Sequence, residues 1–349
     1  MDASSIMILM WVTIVIILIF DFTNGFHDAS NITGTIIASR AMTPIQAAIL
    51  TGVFHFIGPM LGGTAVADTI GKFVKIGDLE AVVSLSILLC GIFGSIFWNL
   101  FTWWFGMPSS SSHALVGGIA GAVLFAAGSN HVMWGWEDLV MKGKLSGVMK
   151  VVLSLFISPI LGFWVGWMLQ KFARALTANS KPGIDRFFKA SQWVSAALLS
   201  FSHGTNDAQK SMGIISLALL LGGDIQKFHV PFWVIFTCAL FITAGNMFGG
   251  WRIVRTVGFG IFNVQPIHSF NAQLSAASVI WGAALIGAPV STTHVASSSI
   301  MGIGSSESPK AVKWAKGKEI VATWLITIPG SGLVGGLTYT VVNFFLKLN

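Results

Sequence analysis

The chain has 349 residues, of which 54% are hydrophobic and only 9% are charged, against about 25% charged residues in an ordinary soluble domain. Its 20 Lys and Arg and 13 Asp and Glu residues cannot cover the surface of a soluble globule of this size. The composition therefore excludes the soluble, disordered and fibrous classes and predicts an all-α polytopic membrane protein. One span with its connection takes about 30 residues, so the length allows on the order of ten crossings.

The net charge is +7, and we attribute it to loops that face the cytoplasm rather than to nucleic-acid binding. The two cysteines, Cys90 and Cys238, each lie in an apolar run. We interpret both as small hydrophobic residues, and expect no disulfide, no transition-metal site and no cofactor.

Ten apolar stretches and a shorter one near 32–38 follow one another along the chain. The stretches 6–20 and 191–201 each end at a polar cluster, and apolar sequence resumes near 32–38 and 211–222. A helix that breaks at membrane depth is tolerated only where its backbone faces protein or water. The pattern therefore predicts two broken helices that mark a binding site. The remaining stretches lie near 45–67, 81–105, 114–127, 147–170, 230–249, 273–288 and 320–346.

Two motifs occur twice in the chain. Asn-Gly-Phe-His-Asp at 24–28 matches His-Gly-Thr-Asn-Asp at 203–207. Gly-Met-Pro-Ser-Ser-Ser-Ser-His at 106–113 likewise matches Gly-Ala-Pro-Val-Ser-Thr-Thr-His at 287–294. The aspartate of the first motif and the proline of the second are 80 residues apart in one copy and 82 in the other. This agreement indicates an internal structural repeat.

We therefore predict two repeats, residues 1–130 and 190–349, and expect them to have inverted orientations, as such repeats often do. Each is predicted to hold one broken helix and one re-entrant helical hairpin, at 107–127 and at 288–303. Residues 131–189 are predicted to supply an extra span and a basic loop.

The distribution of lysine and arginine predicts the orientation in the membrane. The loops 171–189 and 305–318 are rich in these residues, so we place both in the cytoplasm. The single stretch 320–346 would then carry the C-terminus to the outside. Pro182-Gly183 is predicted to be a hinge between the two halves.

Asp28 and Asp207 lie within apolar sequence, where a carboxylate costs about 3 kcal/mol or more unless it has a partner. No basic residue occupies an equivalent position in both copies, so we expect a bound cation, and oxygen ligands suit hard monovalent and divalent cations. An alternative is that these residues cap helices that begin near 28 and 207. The neighbouring oxygens available to a cation belong to Asn24, Asn206, Thr23 and Thr205.

The hydroxyl-rich segments Pro-Ser-Ser-Ser-Ser-His and Pro-Val-Ser-Thr-Thr-His precede stretches of small apolar residues. Proline suits the first turn of a helix and hydroxyls suit its cap, so two helix starts can hold an oxyanion with their N–H groups. The alternative is hydrogen bonding between packed helices. We expect His113 and His294 to orient the hairpins rather than to bind metal. The expected anion ligands are Ser110, Ser111, Ser112, Ser291, Thr292 and Thr293.

Three further polar residues remain open to two interpretations. Lys210 has no counterpart at Asn31 and would neutralise a carboxylate or face the cytoplasm. His55 and Gln273 lie in apolar runs and are interpreted as packing residues, or as a gate or an ion ligand.

The segments Asp-Phe-Thr-Asn-Gly-Phe-His-Asp-Ala-Ser-Asn at 21–31 and Ser-His-Gly-Thr-Asn-Asp-Ala-Gln-Lys at 202–210 resemble the two signatures of the inorganic phosphate transporter (PiT) family. Residues 289–294 resemble the C-terminal hairpin motif of that family, and the resemblance covers nearly the whole chain. It implies secondary uptake of inorganic phosphate, driven by Na+ or H+, by a homodimer in the plasma membrane.

The resemblance also implies roles for individual residues. Ser110 and Ser291 would contact phosphate, and His27 stands where many members have asparagine. His55 and Gln273 stand where animal members have glutamate, which leaves the coupling stoichiometry open. Asn206, Asp28 and Asp207 join the hydroxyl residues as expected phosphate ligands. The set expected to bind Na+ is Asp28, Asp207, Asn24, Asn206, Thr23, Thr205, Ser109, Ser110, Ser291 and Gln273, with His27, His113, His294, His55 and Lys210 in supporting roles.

The sequence thus predicts a Na+-coupled phosphate symporter that works by alternating access and is not an enzyme. Alternatives are an H+-coupled transporter of phosphate or sulfate with the same architecture, and a passive anion channel. A membrane phosphotransferase that uses His113 or His294 as a nucleophile finds no support, because the sequence has no nucleotide-binding loop or metal cluster.

Overall fold

The computed structural model of the protein describes residues 3–180 and 183–347, apart from the side chain of Trp251. These residues form α-helices without a β-strand, which confirms the predicted all-α class. Lys181 and Pro182, from the predicted basic loop and hinge, lie outside the described residues. The helices are α1 (Ala3–Ala38), α2 (Pro44–Leu61), α3 (Ala65–Ile70), α4 (Ala81–Trp104), α5 (Ser111–Ala127), α6 (Trp136–Lys142), α7 (Gly147–Thr177), α8 (Ile184–Leu221), α9 (Phe232–Phe248), α10 (Trp251–Arg255), α11 (Pro266–Leu285), α12 (Thr292–Glu307) and α13 (Trp314–Leu346).

Within the described residues, five helices are long and apolar enough to cross a membrane, namely α1, α2, α4, α7 and α13. A sixth span results if α9 is joined to the segment Arg252–Gly260, to which it stands at 61°. The estimate of ten crossings was an upper limit set by length. Fewer helices qualify because several apolar stretches form short helices, while α8 and α11 carry many buried polar residues.

The two predicted helix breaks are wrong. Helix α1 continues through residues 21–31, and α8 continues through residues 202–210. The polar side chains in these segments do not interrupt the helix. Hydroxyls donate to the backbone carbonyl one turn earlier, as the Thr205 hydroxyl does to Phe201 O at 2.8 Å. Several other polar side chains, such as those of Asp28 and Asn31, have partners on neighbouring helices, so the helix needs no break to accommodate them.

The predicted hairpin ranges each contain one helix rather than two. In residues 107–127 this helix is α5, and its antiparallel partner is α4, as the Ser95 hydroxyl shows by donating to Ala114 O at 2.9 Å. In residues 288–303 the helix is α12, whose neighbour along the chain is α11, with Ser275 Oγ 3.1 Å from Ser299 Oγ. The second arm of each hairpin therefore lies before the predicted range.

Helices α1 and α8, which carry the first repeated motif, pack antiparallel. Ser211 near the end of α8 donates to Asp21 Oδ1 in α1 at 2.7 Å, and Gly222 after α8 meets Met10 near the start of α1. Each also packs against a helix from the other half. A Cβ at Gly25 of α1 would lie 2.0 Å from Ile242 O of α9, and α2 approaches α8 as closely.

The helices that follow the second motif also cross between halves. Helix α5 packs parallel to α13, and α12 packs parallel to α7. Proline and two glycines recur with identical spacing in the two long helices, at 159, 162 and 166 in α7 and at 329, 332 and 336 in α13. The Arg174–Glu307 ion pair, at 2.6 Å, joins the ends of α7 and α12. The two basic loops therefore lie at the same end of the bundle.

Candidate functional site

The N-termini of α5 and α12 meet in the interior of the protein. The Ser110 hydroxyl accepts a hydrogen bond from His113 N at 3.1 Å, and the Ser291 hydroxyl accepts one from His294 N at 3.2 Å. The two histidine rings are 4.4 Å apart between centroids. Both helix starts thus present their positive dipole ends to one place, and each cap hydroxyl keeps its proton to donate to an anion.

Asp28 is buried on α1 close to these helix starts. Its Oδ1 accepts a hydrogen bond from the Thr293 hydroxyl at 3.0 Å and lies 2.9 Å from His27 Nδ1. Asn31 Nδ2 donates to the same Thr293 hydroxyl at 2.9 Å. A chain of contacts therefore ties the first motif to the start of α12, and places the carboxylate beside that helix's N-terminus.

Asp207 occupies the corresponding place on α8. Its Oδ1 forms an ion pair with Lys210, and His203 Nδ1 lies 3.1 Å from its Oδ2. His203 and Asp207 are four residues apart, so the continuous helix places both side chains on one face.

The Thr292 hydroxyl connects the two aspartates. Its Oγ1 lies 3.3 Å from Asp28 Oδ2 and 3.0 Å from Asp207 Oδ2. One atom each of Asp28, His203 and Asp207 lie within 4.8 Å of one another. A hydroxyl has one proton and can satisfy one carboxylate at a time, so the other carboxylate has capacity for a cation. The pocket therefore combines cation ligands with two anion-binding helix starts.

Further oxygens are buried here without a hydrogen-bond partner in the part of the chain that the structure describes. They are Oδ1 of Asn24, Oδ1 of Asn206 and Oγ of Ser111. An unpartnered buried oxygen costs about 1–3 kcal/mol, and ligand binding removes that cost. The two amide oxygens are thus candidate ligands for a cation, and the serine hydroxyl is a candidate donor to an anion.

Comparison with known proteins assigns the chain to a family. The model of the phosphate transporter family matches residues 24–183 and, a second time, residues 175–335. The chain belongs to the phosphate transporter family. A relative from Bacillus subtilis named "Probable low-affinity inorganic phosphate transporter" is 41% identical over 96% of this chain and 98% of its own length. A relative of the same name from Rhizobium meliloti is 38% identical over 97% and 98%.

A solved structure named "The sodium-dependent phosphate transporter" shares the fold. It superposes with a TM-score of 0.83 over 96% of this chain and 99% of that chain, at 23% identity. This family member is therefore a multi-pass membrane protein of the transporter class and not an enzyme.

Some residues expected to bind Na+ make other contacts in this phosphate transporter family member. Thr23 donates to Phe20 O within α1, and Thr205 packs against α2. Gln273 belongs to a separate buried polar cluster, where Ser195 donates to its Oε1 at 2.5 Å and its Nε2 donates to Thr35 Oγ1 at 3.3 Å. Thr35 is two helical turns beyond Asp28 on α1, about 10 Å along the axis.

The expected supporting residues surround the pocket. Ser109, from the set expected to bind Na+, has its Oγ 3.3 Å from His27 Nε2 and so lies behind the imidazole that contacts Asp28. The His55 ring of α2 lies 5.2 Å from the His203 ring between centroids, tilted by 57°. His294 stacks on Trp324 at 3.8 Å. None of these side chains needs to touch a ligand to hold the aspartates and helix starts in position.

Two residues of the pocket were not expected from the sequence, His203 as a possible cation ligand and Asn31 as a partner of Thr293. A continuous helix would have predicted both, because they lie four residues before and three residues after an aspartate. If the helices broke at these motifs, as expected, the same spacings would not place these side chains on one face.

The bridging hydroxyl gives a testable expectation. Replacing Thr292 with valine keeps the shape of the side chain and removes the donor that both carboxylates use, so phosphate uptake should fall about tenfold or more. The control is Thr33→Val, because the Thr33 hydroxyl donates to its own helix at Ala29 O. Initial uptake rates at equal membrane expression measure the effect, and equal loss in both variants would contradict it.

Proposed function

We propose that this family member imports inorganic phosphate with Na+ as the coupling ion. The observation that carries the proposal is the Thr292 hydroxyl between the Asp28 and Asp207 carboxylates, next to the starts of α5 and α12. Carboxylate, amide and hydroxyl oxygens are ligands for hard cations, and helix N-termini are ligands for oxyanions. Cations at the aspartates offset the charge of phosphate at the helix starts, so each ligand favours binding of the other.

The names of the relatives and of the similar structure support phosphate as substrate and Na+ as coupling ion. In this proposal Ser110, Ser291 and Ser111 donate to phosphate. Asp28, with the Asn24 and Asn206 oxygens, holds Na+.

Inverted repeats are the second part of the proposal. The antiparallel packing of α1 and α8 supports it, because these helices carry equivalent motifs. The shared proline and glycine spacing and the double match to the family model support extending the first repeat to include α7. The pairs α4–α5 and α11–α12 are then equivalent arms, and their movement past α1 and α8 would open the pocket alternately to each side. Cytoplasmic basic loops, an external C-terminus and a homodimer remain predictions.

The test is uptake of labelled phosphate by purified protein in liposomes. An inward Na+ gradient at equal pH should drive accumulation above equilibrium, whereas a pH gradient without Na+ should not. Phosphate inside the liposomes should accelerate entry by exchange, which distinguishes a carrier from a passive channel. Phosphate accumulation that does not depend on the Na+ gradient would refute Na+ as the coupling ion. Inhibition by sulfate as strong as inhibition by unlabelled phosphate would refute selectivity for phosphate.

H+ coupling is a second candidate, and one observation favours it. His203 lies beside Asp207, and the His55 ring lies 5.2 Å from the His203 ring, so two buried imidazoles lead away from the carboxylate. Such a row can carry a proton. Accumulation driven by a pH gradient in Na+-free buffer would select this candidate.

A further inference from the structure

Lys210 is one of the largest fully buried side chains among the described residues, with 1% of its surface exposed. Its Nζ forms an ion pair with Asp207 Oδ1. It also donates to Ser112 Oγ at 2.6 Å and to Val290 O at 2.9 Å. The ammonium group thus lies between α8 and the starts of α5 and α12, inside the candidate pocket.

The three partners of this ammonium are a carboxylate, a hydroxyl and a backbone carbonyl. These are the oxygen types that bind hard metal cations in proteins. A lysine ammonium is a compact single positive charge on a flexible stem. The Lys210 ammonium therefore occupies a position between oxygens that would otherwise suit a monovalent metal ion.

The other half of the pocket has the same geometry with a neutral group. Asn31 follows Asp28 by three residues, as Lys210 follows Asp207. Asn31 donates to Thr293, and Lys210 donates to Ser112, which are the matching hydroxyls immediately before the two histidines. The two positions are equivalent in place and contact, and differ in charge.

This difference makes the two aspartates unequal. Asp207 has a fixed cation in contact, whereas no lysine or arginine forms an ion pair with Asp28 in the described part of the chain. Asp28 contacts the His27 imidazole and the Thr292 and Thr293 hydroxyls, and a buried carboxylate that lacks a full counter-charge is strongly unfavourable. Asp28 therefore requires a cation from solution, and Asp207 does not.

We propose that the Lys210 ammonium is a tethered substitute for one coupling cation, which lowers by about one the number of Na+ ions carried with each phosphate. The inference rests on the proposed Na+ coupling. It assigns Lys210 as the residue that sets stoichiometry, with the Na+ that does bind held at Asp28. Lys210→Asn, which reproduces Asn31, would leave the oxygens around Asp207 free for a further Na+.

The experiment measures the ratio of labelled Na+ to labelled phosphate entering liposomes. Lys210→Asn should raise the ratio by about one ion. At limiting Na+, a tenfold drop in its concentration should lower uptake by a further factor of about ten relative to the unmodified protein, since one more ion must bind. Lys210→Arg keeps the charge, and should keep the original ratio.

The reciprocal variant Asn31→Lys is the second arm. A lysine there would reach Asp28, so the ratio should fall by about one ion, or Na+ dependence should disappear. If Lys210→Asn does not reach the membrane, the result for Asn31→Lys alone tests the role of Lys210. Na+ titration of the melting temperature in detergent, without phosphate, is an independent readout: Na+ should stabilise Lys210→Asn more steeply than the unmodified protein.

The outcomes separate this inference from the proposed function. Phosphate accumulation without Na+ entry in the unmodified protein would overturn the proposed function. A coupled unmodified protein whose ratio is unchanged in Lys210→Asn and Asn31→Lys would overturn the role of Lys210 alone. A rise of tenfold or more in the KM for phosphate in Lys210→Asn, with the ratio of Na+ to phosphate unchanged, would likewise overturn that role. Such a result would make Lys210 a phosphate ligand.

Discussion

Replacing Asp28 with asparagine is expected to lower Na+-driven phosphate uptake by at least about 100-fold. Removing one partner of a buried charged contact costs about 3–5 kcal/mol, and each 1.4 kcal/mol corresponds to a factor of ten. Here the lost partner is the Asp28 carboxylate, which accepts from the Thr292 and Thr293 hydroxyls and is the proposed Na+ ligand. Asparagine has nearly the same shape and retains an acceptor oxygen, so the fold should persist.

The measurement is initial uptake in liposomes, together with the melting temperature of the purified protein. The control is Asp224→Asn, the same chemical change at an exposed carboxylate after α8. Asp28→Asn with uptake within threefold of the unmodified protein would contradict the assignment of Asp28 as the Na+ ligand. A loss matched by Asp224→Asn would contradict it as well.

Replacing Gly245 with alanine is expected to lower the melting temperature by about 5 °C or more. A Cβ there would lie 2.0 Å from Phe22 O and 2.8 Å from Phe26 N, so α9 would be pushed away from α1. Overpacking costs about 1–3 kcal/mol, which corresponds to several degrees for a chain of this size. The displaced α1 carries Asp28, so uptake should fall with stability.

Gly282→Ala is the matched control. It is also a helical glycine, on α11, and nothing lies within 4 Å of an added Cβ. Alanine has the better helix propensity by about 1 kcal/mol, so this variant should be as stable as the original protein or more so. Thermal unfolding in detergent measures both variants, and equal destabilisation would show that close helix contact is not the cause.

The helical architecture followed from the composition and the apolar stretches, because burial in a bilayer leaves few alternatives to helices. The continuity of α1 and α8 did not follow. When the partners of a polar cluster in apolar sequence are not known, the cluster indicates a break in the helix. The hydroxyl partners of Asp28 are 264 and 265 residues away in sequence, so no local pattern could show that a continuous helix satisfies this carboxylate.

The candidate site was partly predictable for a similar reason. The repeat drew attention to Asp28 and Asp207, and the structure brings both to one hydroxyl. Spacing could not show that the Thr23 hydroxyl donates within α1 or that Thr205 packs against α2, because the direction of a side chain depends on the helical phase through the motif. The partners of Gln273 come from α1 and α8, which only tertiary packing brings to α11, so no sequence pattern could show them.

The dependence of Asp28 on residues near position 292 has a consequence for biogenesis. Translation delivers α1 to the bilayer long before the hydroxyls that satisfy its carboxylate exist. A nascent chain that stops before α12 thus lacks both of these hydroxyl donors to the Asp28 carboxylate, and a carboxylate at membrane depth is costly unless it has partners. The pocket can therefore be completed only after α12 has been made, late in synthesis.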